Sequence, residues 1–370
     1  MVLSSRPAIL ACVLSVACGA AVAAPSIEDF ERSWQAARGY EIPRGTSVVW
    51  SETTHARMTS EEIDAAIARL GAEPRETERA ELEGQRWLAN TGPSVSTYRL
   101  WYLSDRQFRI NEDIPNAEWS PEIDAVVNGD EGWVYASDGS VSVMNFDRPP
   151  PGRNPRIHVQ KIRGVVQELL ASGMGFGSPK LEVRSFEITD DEWRAMLSLP
   201  ETEVRFRLTG FYRAENAQFV VRTGLFAAPG HPETDGQSLE YSQHTYDPAL
   251  ERVVAGRFVH RDAGGRIVRT SDLTSIASFD PQTFGRIAAV PSPDREDPTR
   301  DGRRIKRIDD YRPATAVSTT LNPETGAVVS TEPLATAVNR RGSNLWRWAG
   351  WVILPVLVGA FVIVRMKRSV

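Results

Sequence analysis

The residues of this chain that could do acid–base or metal chemistry are its five histidines and the carboxylates near them. His244 precedes Asp247 by three positions, and His231 precedes Asp235 by four. Metal sites on hairpins use such spacings, so a His/Asp metal-dependent hydrolase is one alternative for this chain. The sequence contains no HExxH, no GxSxG and no glycine-rich phosphate loop that opens a helix, however. We therefore predict a protein that is not an enzyme and that holds no metal and no cofactor.

Cysteine usage and charge exclude further classes. The two cysteines, Cys12 and Cys18, both lie in an N-terminal segment that has the character of a leader. The rest of the chain therefore offers no thiolate as a nucleophile or zinc ligand, and it can form no disulfide of its own. The formal net charge of −5 disfavours a nucleic-acid partner, because nucleic-acid-binding domains are usually basic.

Residues 1–23 have the layout of a secretory signal peptide. Arg6 precedes a short apolar stretch, and small residues lead to a cleavage site after Ala23. An alternative is lipidation at Cys18, although Ser15 stands where a lipidation motif usually has leucine. Both interpretations place the body of the protein outside the cytoplasm.

A second apolar segment, WAGWVILPVLVGAFVIV, lies near the other end of the chain. It runs from Trp348 to Val364 without a charged residue, and counting from Leu345 gives about 20 residues, enough to cross a bilayer. We predict a transmembrane helix over 345–364 and a cytoplasmic tail over 365–370. The protein would then be a single-pass cell-membrane protein with its main domain in the periplasm. An alternative is a sorting signal that is removed after export.

The body of the chain, residues 24–290, is patterned mainly as β-strands. Apolar and polar residues alternate, as they do over 204–209, and Asp/Gly-rich turns separate the alternating stretches. Residues 291–344 are rich in Asp, Arg and Pro and then in Ser and Thr, which predicts a linker and a stalk. Apolar residues at helical spacing predict helices, among them 26–38, 157–171 and 190–197.

Two stretches of the body resemble the outer-membrane lipoprotein carrier proteins of the LolA/LolB-like group. YRLWYLSDRQFRIN (98–111) and AVVNGDEGWVYASDGSVSVMNF (125–146) are similar to that family's strand, its aspartate–glycine turn and its W-x-Y phrase, here Trp133 and Tyr135. Asp280 and Phe284 match the family's closing D-x-x-x-F. The resemblance implies an α+β fold with a strongly curved antiparallel sheet, a half-barrel, and a few packing helices. The predicted C-terminal transmembrane helix would be added to that fold.

The resemblance also implies that the concave face of the sheet is apolar and able to hold acyl chains. An alternative is that the same residues form an ordinary closed core. Ten large apolar residues are the candidates for this face: Trp101, Leu103, Phe108, Ile110, Trp133, Tyr135, Phe206, Leu208, Phe219 and Phe258.

We therefore predict a membrane-anchored extracytoplasmic protein that binds an apolar ligand in envelope biogenesis. The ligand would be a lipid or an acyl or peptide segment of a lipoprotein. A further alternative is an envelope sensor or assembly subunit that acts through an inner-membrane partner protein. Small residues of the apolar segment, Gly350, Gly359 and Ala360, would then recognise that partner.

Overall fold

The computed structural model describes residues 24–69, 76–113, 123–136, 138–146, 156–175, 180–231, 234–290, 305–313 and 315–334. The predicted leader 1–23, the predicted transmembrane helix 345–364 and the predicted tail 365–370 lie outside these residues. Within them, the chain forms a mixed sheet of 16 strands, a separate two-stranded ribbon and five α-helices.

Short helices accompany the sheet. Ser26 begins the first helix with a capping box: its hydroxyl accepts from the Asp29 backbone N–H, and the Asp29 carboxylate accepts from the Ser26 N–H. The helices are α1 Ile27–Arg38, α2 Ser60–Arg69, α3 Glu76–Thr91, α4 Arg156–Val165 and α5 Phe284–Ile287. A π-helix, Val166–Leu170, continues α4 directly and is called π1, and 3-10 turns cover Ala214–Asn216 and Pro281–Thr283.

The strands follow the predicted alternation of apolar and polar residues. In the strand that begins at Arg205, for example, Phe206 and Leu208 are buried while Arg205 and Arg207 are exposed. The strands are β1 Thr46–Thr54, β2 Ser94–Ser104, β3 Gln107–Asp113, β4 Ile123–Asn128, β5 Glu131–Tyr135, β6 Ser140–Asn145, β7 Glu182–Thr189, β8 Glu192–Ser198 and β9 Arg205–Arg213. They continue with β10 Gln218–Ala227, β11 Ser238–Ser242, β12 Thr245–Asp247, β13 Arg252–Val254, β14 Arg257–Arg261, β15 Ile267–Ser278, β16 Arg307–Asp310, β17 Val317–Leu321 and β18 Val328–Pro333.

The order of strands across the sheet is β18-β17-β16-β6-β5-β4-β3-β2-β1-β15-β14-β11-β10-β9-β8-β7. Neighbouring strands are antiparallel except β6 and β16, which run parallel with Ser140 opposite Arg307. The first strand of the chain, β1, lies inside the sheet between β2 and β15. Strands β12 and β13 form the separate ribbon.

Each face of the sheet carries its own apolar cluster. Successive strand residues point to opposite faces, so Leu100 and Tyr102 lie on one face and Trp101 and Leu103 on the other. We call the first face the front; α1, α4 and π1 pack on it. The second is the back face, where α5 packs through Phe284.

The predicted fold class is wrong in two respects. The sheet is mixed rather than antiparallel, because the long connection after β15 brings β16 alongside β6 in the same direction. The transmembrane helix of that fold class is also not supported. Among the described residues no helix is long and apolar enough to cross a membrane.

Two other expectations differ from the structure. The segment predicted as linker and stalk, 291–344, includes β16, β17 and β18, which continue the sheet from β6. The helix predicted at 190–197 is strand β8, in which Trp193, Ala195 and Leu197 are buried and Arg194 is exposed. The helix predicted at 157–171 is present as α4 and π1.

Candidate functional site

The structure divides the ten predicted ligand-contacting residues between the two faces. All are buried except Trp101, which is half-buried. That they contact a ligand stays a prediction. The front cluster contains Phe108, Ile110, Phe206, Leu208, Phe219 and Phe258, and the back cluster contains Trp101, Leu103, Trp133 and Tyr135.

Helical segments cover the six front residues. At one end, α1 inserts Phe30 between aromatic rings of the sheet, with ring centroids 5.1 Å from Phe186, 5.0 Å from Trp193 and 5.3 Å from Phe219. Towards the middle of the sheet, α4 and π1 bring further buried aliphatic side chains into the same cluster. The front face is therefore filled by the chain's own side chains.

The C-terminal end of the α4–π1 segment is joined to the sheet side by backbone hydrogen bonds. The Leu169 carbonyl accepts from the Ala255 N–H at 2.8 Å, and the Ser172 carbonyl accepts from the Val221 N–H at 3.2 Å. The Ser172 hydroxyl donates to the Val253 carbonyl at 3.0 Å. The turn after π1 is thus fixed in place by main-chain groups.

The α4 end is attached through side chains instead. Ile162 and Val165 are buried in the front cluster. The Lys161 Nζ lies 2.7 Å from Glu52 Oε2, and an exposed pair joins Arg163 to Asp105 at 3.2 Å. The two ends of one helical segment are therefore held by different kinds of contact.

Lys161 belongs to a group of charges that we call the front charge cluster. Its members are Glu52 on β1, Glu112 on β3, Lys161 on α4, Glu168 on π1 and Arg269 on β15. Arg269 donates to Glu168 and lies 3.6 Å from Glu52. The cluster thus places three carboxyl groups beside two cations on the front face.

Burial and neighbouring charges act in opposite directions on these carboxyl groups. Burial alone would raise the pKa of Glu52, but the positive charges of Lys161 and Arg269 outweigh it and lower that pKa below its ordinary value. At Glu112 and Glu168 burial prevails and raises the pKa of both. Glu52 is therefore the member that stays ionised most firmly at neutral pH.

Two buried hydroxyls near the charge cluster have no hydrogen-bond partner among the described residues. One is Tyr241 Oη, on the residue whose ring packs against Gly173 after π1; the other is Ser271 Oγ, on the residue opposite Glu52 in the register of β1 and β15. A buried polar group without a partner costs about 1–3 kcal/mol. The front face therefore combines apolar cover with polar groups that the described chain leaves unsatisfied.

The back face holds a buried ion pair of a different kind. Arg109 on β3 meets Asp124 on β4 through two hydrogen bonds, of 2.9 and 2.5 Å. Its guanidinium also donates to the Ile287 carbonyl at 2.8 Å and lies over the rings of Trp101 and Trp133. All three nitrogens of this guanidinium therefore donate to fixed partners, which is typical of a structural pair.

The histidines do not assemble into a metal site within the described residues. His244 Nε2 lies 3.1 Å from the Val221 carbonyl oxygen, and burial lowers the pKa of its ring. The Asp247 carboxylate accepts from the backbone N–H groups of Ala249 and Leu250 in its turn. In the part of the chain that the structure describes, no group of three or more His, Cys, Asp and Glu side chains could hold a metal ion.

The front charge cluster was missed in the sequence, although two of its members carry a visible signal. Glu52 follows Val48 and Trp50 at alternate positions of β1, and Glu112 follows Ile110 in the same way on β3. A carboxylate that continues an apolar alternation points into the core and needs a partner there. Which partner it finds depends on the three-dimensional fold and is not readable from spacing.

No protein-family model matches the chain, and no curated protein matches it. Solved structures do show similarity. A LolA superfamily protein from Nitrosomonas europaea is 12% identical, covering 69% of this chain and 96% of its own, with a TM-score of 0.33. A putative outer membrane lipoprotein-sorting protein domain from Vibrio parahaemolyticus is 8% identical, with coverage of 70% and 95% and a TM-score of 0.34.

The chain weakly resembles LolA superfamily proteins. This confirms the resemblance predicted from the sequence, as a weak one. The MucA/MucB complex of Pseudomonas aeruginosa is also similar, at 10% identity, 79% and 74% coverage and a TM-score of 0.23. At these TM-scores the similarity carries no conclusion about function, which must come from the site.

Proposed function

We propose that the chain is an extracytoplasmic protein that binds an apolar ligand, such as an acyl chain or an apolar peptide segment, and that this ligand takes the place of α4 on the front face. The observation that carries the proposal is the unequal attachment of the α4–π1 segment. Main-chain hydrogen bonds hold its end near Leu169 and Ser172, whereas the contacts between α4 and the sheet, in the part of the chain that the structure describes, are made by side chains. The export signal predicted at 1–23 supports the extracytoplasmic location.

The boundary between the two ends coincides with a change of helix type. Helix α4 passes into π1 at Val166, and π-helical turns within α-helices occur frequently at functional sites. A helix that pivots at this point would leave the turn at 171–175 in place. It would uncover the apolar residues of the front face that α4 shields.

The energetics suit an exchange between α4 and an apolar chain. Lifting α4 exposes Ile162 and Val165, at about 1.5–3 kcal/mol for each side chain. A ligand recovers about 0.8 kcal/mol for each methylene that it buries. A chain of about eight methylenes therefore recovers as much as the upper value of this loss.

Photolabelling of the full chain in cells tests this function. Cells that express the protein would receive a photoreactive fatty acid, and mass spectrometry would map the labelled residues. We expect labels on front-face residues beside α4, such as Phe108 and Ile110 on β3, and none on Leu225, which is exposed on β10. Labels that are absent, or that are confined to the apolar segment 348–364, would overturn the proposal.

A covalent lock tests the role of α4 separately. Cysteines at Arg163 and Asp105, joined by a short bismaleimide, would tie α4 to the β2–β3 turn without touching the charge cluster. The matched control joins Arg106 and Asp130, another exposed pair, across two turns of the sheet. We expect the first lock to suppress labelling of the front face and the control lock to leave it unchanged. Equal labelling of the two locked proteins would show that α4 does not need to move for the ligand to bind, which would refute its proposed role.

A further inference from the structure

The ammonium group of Lys161 is surrounded by groups that belong to the sheet. Its Nζ lies 2.7 Å from Glu52 Oε2 and 4.4 Å from the centroid of the Tyr98 ring. The Tyr98 hydroxyl donates to Glu112 Oε1 at 2.5 Å, which adds a second carboxyl group beside the ring. Carboxylates together with the face of an aromatic ring are a combination that holds cations well.

The sheet fixes these groups independently of α4. Trp50 stacks on Tyr98, with ring centroids 4.9 Å apart and an angle of 11° between the ring planes. Tyr98 stands opposite Trp50 in the β1–β2 register and opposite Glu112 in the β2–β3 register. Three adjacent strands therefore position the ring and both carboxyl groups, and they remain in place when α4 moves.

Departure of α4 removes one positive charge from this arrangement. Lys161 leaves with the helix, while Glu168 on the anchored π1 stays paired with Arg269. Three carboxyl groups then face a single cation on the front face. Glu52 then loses its 2.7 Å contact with Lys161 and keeps Arg269 only at 3.6 Å, so this largely buried carboxyl group lacks a close positive partner.

We propose that the site formed by Glu52, the Tyr98 ring and Glu112 binds the primary ammonium group of a long-chain amphiphile, and that Lys161 is an internal stand-in for that head group. This inference rests on the proposed function, because the apolar chain of the ligand would lie where α4 now packs. An anionic head group would meet three carboxyl groups and is disfavoured at the same position.

Three C12 probes with different head groups test the site. Dodecylamine, dodecanol and dodecanoate would be titrated into the full chain at pH 7 by calorimetry, with the protein held in an uncharged amphipol. For the wild-type chain we expect dodecylamine to bind at least tenfold more tightly than dodecanoate. In Lys161→Met, which empties the ammonium site, the affinity for dodecylamine should rise at least tenfold, while that for dodecanol should change less than threefold.

Two further variants test whether the gain in dodecylamine affinity depends on Glu52 and on the position of the substitution. Adding Glu52→Gln to Lys161→Met should abolish the gain for dodecylamine and leave dodecanol binding unchanged. Arg106→Met, at an exposed position away from the cluster, should behave as the wild type. If the amine and the alcohol bind equally to Lys161→Met, or if the wild-type chain prefers dodecanoate, the ammonium site is refuted while the apolar function stands. If none of the three probes binds, the apolar function itself is refuted, and the ammonium site with it.

Discussion

Two arginine–carboxylate pairs among the described residues, one on each face of the sheet, differ in what they connect. On the back, Arg109 and Asp124 belong to adjacent strands and are 2% and 0% exposed. On the front, Arg269 belongs to the sheet and Glu168 to π1, and they are 28% and 9% exposed. The back pair joins two strands of the sheet, whereas the front pair joins the sheet to π1, the anchored end of the segment whose other end, α4, carries Lys161.

The surroundings of the two pairs reinforce the difference. The back pair has a two-point hydrogen-bond geometry, two tryptophan rings and a main-chain carbonyl around its guanidinium. The front charge cluster shares Glu52 between Lys161 and Arg269, and it lies near two buried hydroxyls without partners among the described residues. The back guanidinium has a partner at each nitrogen, whereas the front cluster lies beside hydroxyls that the described chain leaves unsatisfied, and that difference supports our proposal of a ligand there.

The largest expected effect comes from breaking the back pair. Asp124→Asn leaves the Arg109 guanidinium buried without its counter-charge, which typically costs about 3–5 kcal/mol of unfolding free energy. Urea denaturation at pH 7 would measure the loss. Asp130→Asn is the matched control, because its pair with Arg106 is exposed and should contribute less than about 1 kcal/mol. Equal losses in both variants would remove the distinction between a buried structural pair and a surface pair.

Glu52→Gln on the front face should lower the free energy of unfolding by less, about 2 kcal/mol at pH 7. This is the usual contribution of a hydrogen bond to a charged group. Arg269 keeps Glu168 in this variant. The pKa of Glu52 is lowered in the folded protein, so its contribution is present above the ordinary value of 4.5 and is lost as the pH falls below it. Urea denaturation between pH 7 and pH 3.5 should therefore show the wild type and the variant converging in acid. A difference that stays constant across that range would contradict the assignment.

Trp133→Phe tests a hydrogen bond beside the back pair and should lower the free energy of unfolding by about 1 kcal/mol. The indole Nε1 donates to the Ala288 carbonyl at 2.9 Å, and phenylalanine keeps a ring over Arg109 while losing this bond. Thermal unfolding by circular dichroism would measure the change. An unchanged midpoint would mean that the segment after α5 does not depend on this contact.

Lys161→Met should have the smallest effect on stability, within about 1 kcal/mol of the wild type. The methionine retains most of the aliphatic stem on the front cluster, and Glu52 keeps Arg269 as a nearby cation. The same urea series would measure it. A loss as large as that of Asp124→Asn would show that Lys161 is a structural partner, in the same class as the back pair.

Much of the architecture could be predicted from the sequence, because alternation reports which strand residues face a core. Strand β9 shows this at Phe206 and Leu208. The helix predicted over 190–197 is wrong, because Trp193, Ala195 and Leu197 alternate with more exposed residues and form strand β8. The parallel pairing of β16 with β6 could not be foreseen, since nothing local to either strand specifies a partner more than 160 residues away.

The candidate site was harder to predict for the same physical reason. Alternation separates the two faces of one strand, but it does not show which face of one strand continues which face of the next. The ten candidate residues, predicted to share one face, therefore lie in two clusters on opposite faces. The charge cluster draws Glu52, Lys161 and Arg269 from three distant parts of the chain. Such a site is formed by the fold, and its only sequence signal is a charged residue at a position where the pattern calls for an apolar one.

Hydrogen exchange of the α4–π1 segment in the full chain, with and without dodecylamine, tests the central claim most directly. The amides of Ala171 to Met174 are hydrogen-bonded in the anchored turn, whereas α4 is attached to the sheet through side chains. We predict that the amides of 156–165 exchange at least tenfold faster than those of 171–174, and that dodecylamine speeds their exchange further while slowing that of β1 and β2. If α4 is as protected as the turn and does not respond to dodecylamine, it is a permanent part of the core and the account is wrong.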